Sequence, residues 1–281
     1  IGPIFPPSIP LVIYGVIAGA SIGNLFLAGM VPGIILALAL CIYVCYIANK
    51  RNYPSGRKYA GMEFIKMTVS AVPALLTPII LLMGIYTGIM TATEAGAVAA
   101  LYALLISVFA YRSITLSEFI QVLKNTVKST GQIGIMLGAA YVFSYVIAVE
   151  NLPSLAGNLI LSFATTKVSF LVFVNILLFI LGMLLDSAVL QLVLLPILCP
   201  IAQSFGIDMV HFGVVFTLNT MIGLCTPPFG MLLFIVTGIS GEKMNTIIKE
   251  VMPMVFVMVL VLILVTFVPD VIMWLPRLFG R

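Results

Sequence analysis

The residues best suited to chemistry in this sequence are the nine at 222–230, Ile-Gly-Leu-Cys-Thr-Pro-Pro-Phe-Gly, which interrupt a long apolar run. Two consecutive prolines lack N–H donors and clash with the preceding turn, so an α-helix cannot continue through them. Carbonyl groups at such an interruption lose their helical partners and can coordinate a hard cation such as Na⁺. The half-helix beyond it carries about +0.5 elementary charge at its N-terminus, which attracts a carboxylate. The stretch predicts an ion or substrate site, although a proline kink without a ligand fits this motif equally well when it is taken alone.

A second copy of this device opens the chain. Residues 1–8 are Ile-Gly-Pro-Ile-Phe-Pro-Pro-Ser, and sliding 1–32 by 221 positions aligns a glycine, the proline pair, an asparagine and a later proline without a gap. The positive-inside rule places the basic loop around 50–66 in the cytoplasm, so the helix after the first copy runs outward and the helix through the second runs inward. Matching segments of opposite direction indicate inverted-topology repeats that share one central site.

Candidate ligands lie at both copies and at a polar tip between two apolar runs. For a cation we expect backbone oxygens, with one threonine hydroxyl, at Gly182, Gly223, Thr226 and Phe229, and at Gly2, Phe5 and Pro6. The side chains that could contact substrate or ion are Asp186, Ser187, Ser8, Asn219 and Thr220, and each could equally be a structural hydrogen-bonding group. An acid facing lipid costs at least ~2.5 kcal/mol, so Asp186 should face a polar cavity.

Composition defines the environment of these residues. Of 281 residues, 62% are hydrophobic and only 8% are charged, whereas soluble domains carry roughly a quarter charged residues. The sequence therefore predicts an all-α polytopic membrane protein. The net charge of +4 is no sign of nucleic-acid binding, because the basic residues are few and lie in short loops. The motifs H-E-x-x-H and G-x-S-x-G and a catalytic aspartate pair are missing from the sequence, which argues against an enzyme.

The apolar pattern divides the chain into four parts. The first part, 1–22, contains the first interrupted helix, and the sequence predicts a missing hairpin upstream of it. The second, 23–149, contains membrane crossings and amphipathic surface helices near 59–69 and 115–127. The third, 150–241, contains a hairpin over 168–205 that enters and leaves on one side, or one kinked span, and an interrupted helix over 209–240. The fourth, 242–281, is a C-terminal crossing and tail.

Glu94 is an acidic residue at the start of an apolar run. It follows Thr91 and Thr93, which suit a turn or an N-cap, and lies in the first helical turn, where the helix dipole favours an acid. We therefore expect a structural role for Glu94 rather than one in proton transfer.

Several long motifs resemble one known family. The segments I-G-P-I-F-P-P-S-I-P-L-V-I-Y-G, T-A-T-E-A-G-A-V-A-A-L-Y-A, L-G-M-L-L-D-S-A and G-I-D-M-V-H-F-G-V-V-F-T-L-N-T-M-I-G-L-C-T-P-P-F-G are similar to the large membrane subunit of tripartite ATP-independent periplasmic (TRAP) transporters. The resemblance implies an elevator-type secondary transporter of the bacterial inner membrane, in which hairpins and broken helices form a transport domain within a scaffold braced by arm helices. The surface helices near 59–69 and 115–127 fall where those arms are expected.

The resemblance also implies cofactors and partners. These are Na⁺ as the coupling ion, a small membrane subunit, and a periplasmic binding protein that delivers a carboxylate such as sialic acid or a C4-dicarboxylate. The family's cation sites map onto the seven cation candidates given above, and the first of these sites is incomplete without an upstream hairpin. Two alternatives remain open: a stand-alone Na⁺–carboxylate symporter of the wider elevator superfamily, and an ion channel.

Overall fold

The computed structural model describes residues 1–53, 61–151, 160 and 164–279, and in these ranges the regular structure is helical throughout. The helices are α1 Ile9–Ala18, α2 Ile22–Lys50, α3 Gly61–Tyr86, α4 Ala92–Leu105, α5 Leu116–Val149, α6 Lys167–Gly182, α7 Ser187–Ser204, α8 Met209–Gly223, α9 Met231–Ser240, α10 Met244–Phe267 and α11 Asp270–Phe279. A π-helical turn, Ile106–Ala110, extends α4. Six described helices, with α4 and its extension counted as one, are long and apolar enough to cross a membrane. The chain is a multi-pass membrane protein, as its composition predicts.

The chain forms two compact units. The first comprises Ile1–Ile47 and Ala139–Arg281, and the second comprises Ala48–Gly138. The first unit contains both proline-rich interruptions and the predicted hairpin, together with most of α2 and all of α10. The four parts predicted from the sequence, divided at residues 22, 149 and 241, separate transport-domain segments from scaffold segments. This division stays a prediction.

Long continuous helices characterise the second unit. The predicted surface helix at 59–69 and the crossing after it form one helix, α3, and the segment 115–127 likewise runs on into the next crossing as α5. Residues 59 and 60 lie outside the described ones. At 1.5 Å per residue these helices are about 39 and 51 Å long, more than the ~30 Å hydrocarbon core. Both are therefore long enough to include a part at the membrane surface, and the arm assignment stays a prediction.

Thr91 and Glu94 form a capping box at the start of α4. The Glu94 N–H donates to Thr91 Oγ1 at 3.3 Å, and the Thr91 N–H donates to Glu94 Oε2 at 2.8 Å. Each side chain thereby satisfies a backbone donor that the first helical turn leaves free. The structural role expected for Glu94 is confirmed.

We expect Thr91→Val to lower the free energy of unfolding by about 1 kcal/mol, because the N-cap loses its acceptor oxygen. Thermal unfolding of the purified protein in detergent measures this loss. Thr126→Val is the matched control, since Thr126 is exposed on α5 and its hydroxyl only donates to Val122 O within the same helix. An equal loss in both variants would contradict a capping role for Thr91.

The first unit is built around α8. Every residue from His211 to Thr220 is buried, and α1, α6, α7 and α10 all pack against this helix. A helix that is buried around its whole circumference lies in the core of its unit, and its polar side chains, such as Asn219, then need partners there. Because α8 lies in the middle of this unit, the helix interruption that follows its C-terminal end lies there too.

The N-terminal half of α8 is held by α1 and α10. The Tyr14 hydroxyl of α1 donates to Met209 O at 2.8 Å, and a ring nitrogen of His211 lies 3.0 Å from Val265 O of α10. Gly213 makes room for Tyr14, because a Cβ at Gly213 would lie 2.4 Å from the tyrosine ring. These contacts hold the N-terminal end of α8, whereas the candidate site lies at its C-terminal end.

Candidate functional site

The predicted interruption at 222–230 is present. Helix α8 ends at Gly223 and α9 begins at Met231, and the seven residues between them, 224–230, are not helical. A tight turn follows α8, in which the Thr226 N–H donates to Gly223 O at 2.8 Å. Gly230 precedes α9 with a φ of +43°, a backbone conformation that glycine adopts without steric cost. The prolines therefore break the helix as the sequence predicts.

The predicted polar tip is also present as local structure. Helix α6 ends at Gly182 and α7 begins at Ser187. The pair runs from Lys167 to Ser204, and each of these outer ends lies within one residue of the predicted limits at 168 and 205. Asp186 is the N-cap of α7, and its carboxylate accepts a hydrogen bond from the Ala188 N–H at 2.8 Å. Four residues connect the two helices. That this helix pair enters and leaves the membrane on one side stays a prediction.

The C-terminal ends of α6 and α8 meet at two glycines. A Cβ placed on Gly223 would lie 2.6 Å from the carbonyl carbon of Gly182, so the two backbones touch directly. The Gly230 N–H then donates to Met183 O at 3.2 Å, which joins the interruption to the tip. A helix C-terminus carries about −0.5 elementary charge on its last carbonyl groups. Two such ends in contact create a negative potential that a cation would neutralise.

Thr226 adds a hydroxyl to this junction. Its side chain is buried, at 4% exposure, and its hydroxyl donates to Ile222 O at 2.8 Å. Because the proton points to that carbonyl, the oxygen lone pairs remain available to a cation. Phe229, the fourth candidate in this copy, has a side chain that is 61% exposed, so only its backbone suits the predicted role.

A cavity of about 230 Å³ lies between the tip and the interruption. Its described lining includes one charged residue, Asp186, among apolar side chains that come from the tip, the interruption and α9. Asp186 thus lines a cavity, as expected, but the other described lining residues are apolar, so the polar character expected of this cavity is not found. The remaining lining residues are Met183, Leu184, Leu185, Leu224, Phe229, Met231 and Phe234.

Three other predicted contact residues lie behind the cavity in the helix interfaces. The Ser187 and Thr220 hydroxyls are 2.9 Å apart and join α7 to α8. The Asn219 amide donates to the backbone oxygen of Asn175 at 2.9 Å and to its side-chain oxygen at 2.7 Å, which joins α6 to α8. All three side chains are 3% exposed or less. Their observed partners are structural, and direct contact with a substrate stays a prediction.

The first interruption packs on α2. The Ile4 carbonyl lies 2.8 Å from where a Cβ on Gly29 would be, and the Phe5 ring lies equally close to Gly33. Gly2 and Phe5 are exposed, whereas Pro6 is buried. Two glycines one turn apart on α2 thus receive this interruption.

Ser8 ends the first interruption as the N-cap of α1. Its hydroxyl oxygen accepts a hydrogen bond from the Leu11 N–H at 3.3 Å, and the hydroxyl donates to Pro3 O. Helix α1 begins at Ile9 and α9 at Met231, so the repeat of 221 positions places the two half-helices within one residue of each other. In this register Thr226 corresponds to Phe5 and Phe229 to Ser8, so the hydroxyl and the phenyl exchange places between the copies.

Sequence reasoning missed Asn175 and Met183. Asn175 is a polar residue within the otherwise apolar helix α6, two turns before Gly182, and polar residues in membrane helices usually have a specific partner. That signal could have identified it. Met183 contributes a backbone carbonyl, and its side-chain type gives no indication of that role.

Because Asn219 is buried and donates to the half-buried Asn175, we expect Asn219→Leu to lower the free energy of unfolding by about 1–3 kcal/mol. The loss arises because the two Asn175 oxygens lose their donor. Thermal unfolding measures it, and Asn245→Leu, at an exposed position of α10, is the control. A variant that unfolds normally but binds substrate more weakly would instead support a direct substrate contact by Asn219.

Helices interrupted inside a multi-pass membrane protein are typical of secondary transporters. Comparison with known families agrees with this class. Residues 1–271 match the family described as the tripartite ATP-independent periplasmic transporter, DctM component. The chain belongs to this family, whose members are transport permeases rather than enzymes, and the resemblance found in the sequence is confirmed.

Several curated relatives match almost the whole chain. The sialic acid TRAP transporter large permease protein SiaM of Vibrio cholerae is 41% identical over 99% of the chain, and the sialic acid permease SiaT of Haemophilus influenzae is 38% identical over 99%. The C4-dicarboxylate large permease DctM of Pseudomonas aeruginosa is 35% identical over 100%. The chain spans 65%, 45% and 66% of the lengths of these three proteins, respectively.

Proposed function

We propose that this chain belongs to a Na⁺-coupled secondary transporter that imports a small organic carboxylate across the bacterial inner membrane. The observation that carries the proposal is the contact between Gly182 and Gly223, which brings two helix C-termini together beside the Thr226 hydroxyl. Carbonyl and hydroxyl oxygens are the ligands that a hard cation requires. A single Na⁺ moving down the membrane potential supplies about 2.3 kcal/mol per 100 mV, in addition to its concentration gradient.

Na⁺ at this junction would couple the tip to the interrupted helix. Its ligands come from the end of α6 and from the turn after α8, so a bound ion holds the two elements in one position. The cation would also offset the charge of Asp186 and so permit a carboxylate to enter the adjoining cavity. Cation and substrate would then bind more tightly together than separately, which is the requirement for coupled transport.

The proposed mechanism is of the elevator type. All candidate residues of both copies lie in the first compact unit, so this unit is the natural carrier of the site. The two interrupted helices are related as inverted repeats. Movement of the unit between two positions related by this symmetry would expose the site first to one side of the membrane and then to the other.

The proposed partners follow from the family. They are a small membrane subunit and a periplasmic substrate-binding protein, in keeping with the tripartite description. The relatives named above transport sialic acid or C4-dicarboxylates by name, and a further one is named for isethionate. All three are small organic anions, and we propose sialic acid or a C4-dicarboxylate as the substrate.

Uptake into proteoliposomes tests the proposal. The full-length permease with its small subunit is reconstituted, and radiolabelled sialic acid and succinate are offered with and without an inward Na⁺ gradient and with and without the binding protein. We expect uptake only when both are present. Na⁺-driven uptake without the binding protein would identify a stand-alone symporter, and single-channel currents would identify a channel. Equal rates of uptake with and without the Na⁺ gradient would overturn the proposal.

A further inference from the structure

Two polar side chains, one on α7 and one on α8, are buried with no hydrogen-bond partner among the described residues. They are Gln191 on α7 and Thr217 on α8, both 0% exposed. The Gln191 amide nitrogen and oxygen and the Thr217 hydroxyl oxygen are all unpaired in the structure. Burial of an unpaired polar group is costly, and native proteins nearly always supply a partner for it. This pair of side chains therefore indicates that a small molecule or an ion is bound between them.

The register of α7 and α8 places these side chains together. Ser187, the first residue of α7, meets Thr220 near the end of α8 at 2.9 Å. The two helices pack against each other in antiparallel directions. Moving forward along α7 from this contact therefore leads the same way as moving backward along α8. Gln191 lies one turn beyond Ser187 on the same face, and Thr217 lies one turn before Thr220 on the same face. Gln191 and Thr217 thus lie at the same depth behind the tip.

The chemistry of the unpaired atoms selects the occupant. Gln191 presents amide N–H donors as well as an acceptor oxygen. A bare cation would satisfy the oxygen but would be repelled by the N–H groups. A water molecule accepts from the nitrogen, donates to the oxygen, and has a bond left for the Thr217 hydroxyl. Buried waters typically make about three such hydrogen bonds.

We propose that α7 and α8 enclose a water-binding pocket, formed by Gln191 and Thr217, one helical turn beyond the Ser187–Thr220 contact. Together with the Ser187–Thr220 pair, the pocket gives the α7–α8 interface two successive layers of polar contact. These layers bind the tip to α8 independently of any transported ion. The inference concerns the packing of the helices and holds whether or not the proposed transport activity is correct.

A double-mutant cycle in thermal unfolding tests the pocket. The variants are Gln191→Met, Thr217→Val and their combination, in the full-length permease purified in detergent. Each single change removes one partner of the water and leaves a polar, incompletely bonded water buried against an apolar group, and we expect it to lower Tm by roughly 3–8 °C. The double variant expels the water and replaces both partners with apolar groups, so its Tm should return to within about 2 °C of wild type. Losses that simply add in the double variant would overturn the proposal.

A control pair and a second measurement complete this test. Gln121→Met and Thr126→Val change exposed positions on α5 and should show no coupling in the same cycle. If the single variants do not fold, a map of the wild-type protein at a resolution that shows ordered water decides the question. Density within hydrogen-bonding distance of Gln191 and Thr217 supports the pocket, and an empty interface there overturns it.

Gln191→Glu separates water from a bound cation. A carboxylate at this position would strengthen a cation site, so Na⁺ would then raise the Tm of the variant more than that of wild type. With water as the occupant, we expect the buried carboxylate to lower Tm and the Na⁺-dependent shift to stay at its wild-type size. A larger Na⁺-dependent shift in the variant would overturn the assignment of water.

Discussion

Replacement of Gly223 by alanine is expected to abolish Na⁺-dependent uptake by the full-length permease. The added Cβ would lie 2.6 Å from the carbonyl carbon and 2.7 Å from the Cα of Gly182, closer than real Cβ atoms approach other atoms. Because both atoms belong to the backbone, no side-chain rotation relieves the clash. The ends of α6 and α8 must therefore separate, and with them the carbonyl groups proposed to hold the cation.

Uptake assays with a range of Na⁺ concentrations and thermal unfolding with and without Na⁺ measure this effect. Gly238→Ala is the matched control, because Gly238 lies on α9 and a Cβ there meets no atom within 4 Å. The control should transport like wild type. If Gly223→Ala kept Na⁺-dependent uptake while the control behaved normally, the contact between the two helix ends would not be part of the site.

Thr226→Val is expected to raise the Na⁺ concentration needed for half-maximal uptake by roughly 10- to 100-fold. Valine keeps the shape of the buried side chain but removes the hydroxyl proposed as a ligand. A lost interaction with a charged group is worth about 1.5–3 kcal/mol, which corresponds to that range. The hydroxyl also donates to Ile222 O, so a small loss of stability accompanies the loss of affinity.

Thr226→Ser is the control for this substitution. It keeps the hydroxyl and should retain a Na⁺ dependence close to that of wild type, because the same donor and acceptor remain. The Na⁺ dependence of initial uptake rates compares the two variants. Equal Na⁺ dependence in the valine and serine variants would show that the hydroxyl does not bind the ion.

Local chemistry made part of this fold predictable. The two Pro-Pro pairs stop helices, so both interruptions follow from the sequence, and the half-helices begin beyond them, at Ile9 and Met231. Thr91 and Glu94 define a capping box by their spacing alone. Asp186 at the start of α7 is likewise a local N-cap. Each of these features depends on residues within a few positions of one another.

Features that depend on packing between distant segments were harder to predict. The polar residues at 59–69 and 115–127 suggested separate surface helices, yet nothing in those segments breaks a helix, and both run on into the following crossing. Asn219 looked like a substrate contact because its partner, Asn175, is 44 positions away in the sequence. A polar residue in an apolar helix signals that a partner exists, but the sequence does not identify the partner.

The two interruptions rest on supports of different stiffness. The first sits in a groove made by Gly29 and Gly33 of α2, a helix of 29 residues that continues on both sides of the contact. The second is fastened by Gly230 to the carbonyl of Met183, within the four-residue turn that joins α6 to α7. A long helix such as α2 bends little, whereas a short turn between two helices changes its conformation more easily. The proposed ion release would therefore proceed by bending of this turn at the second interruption.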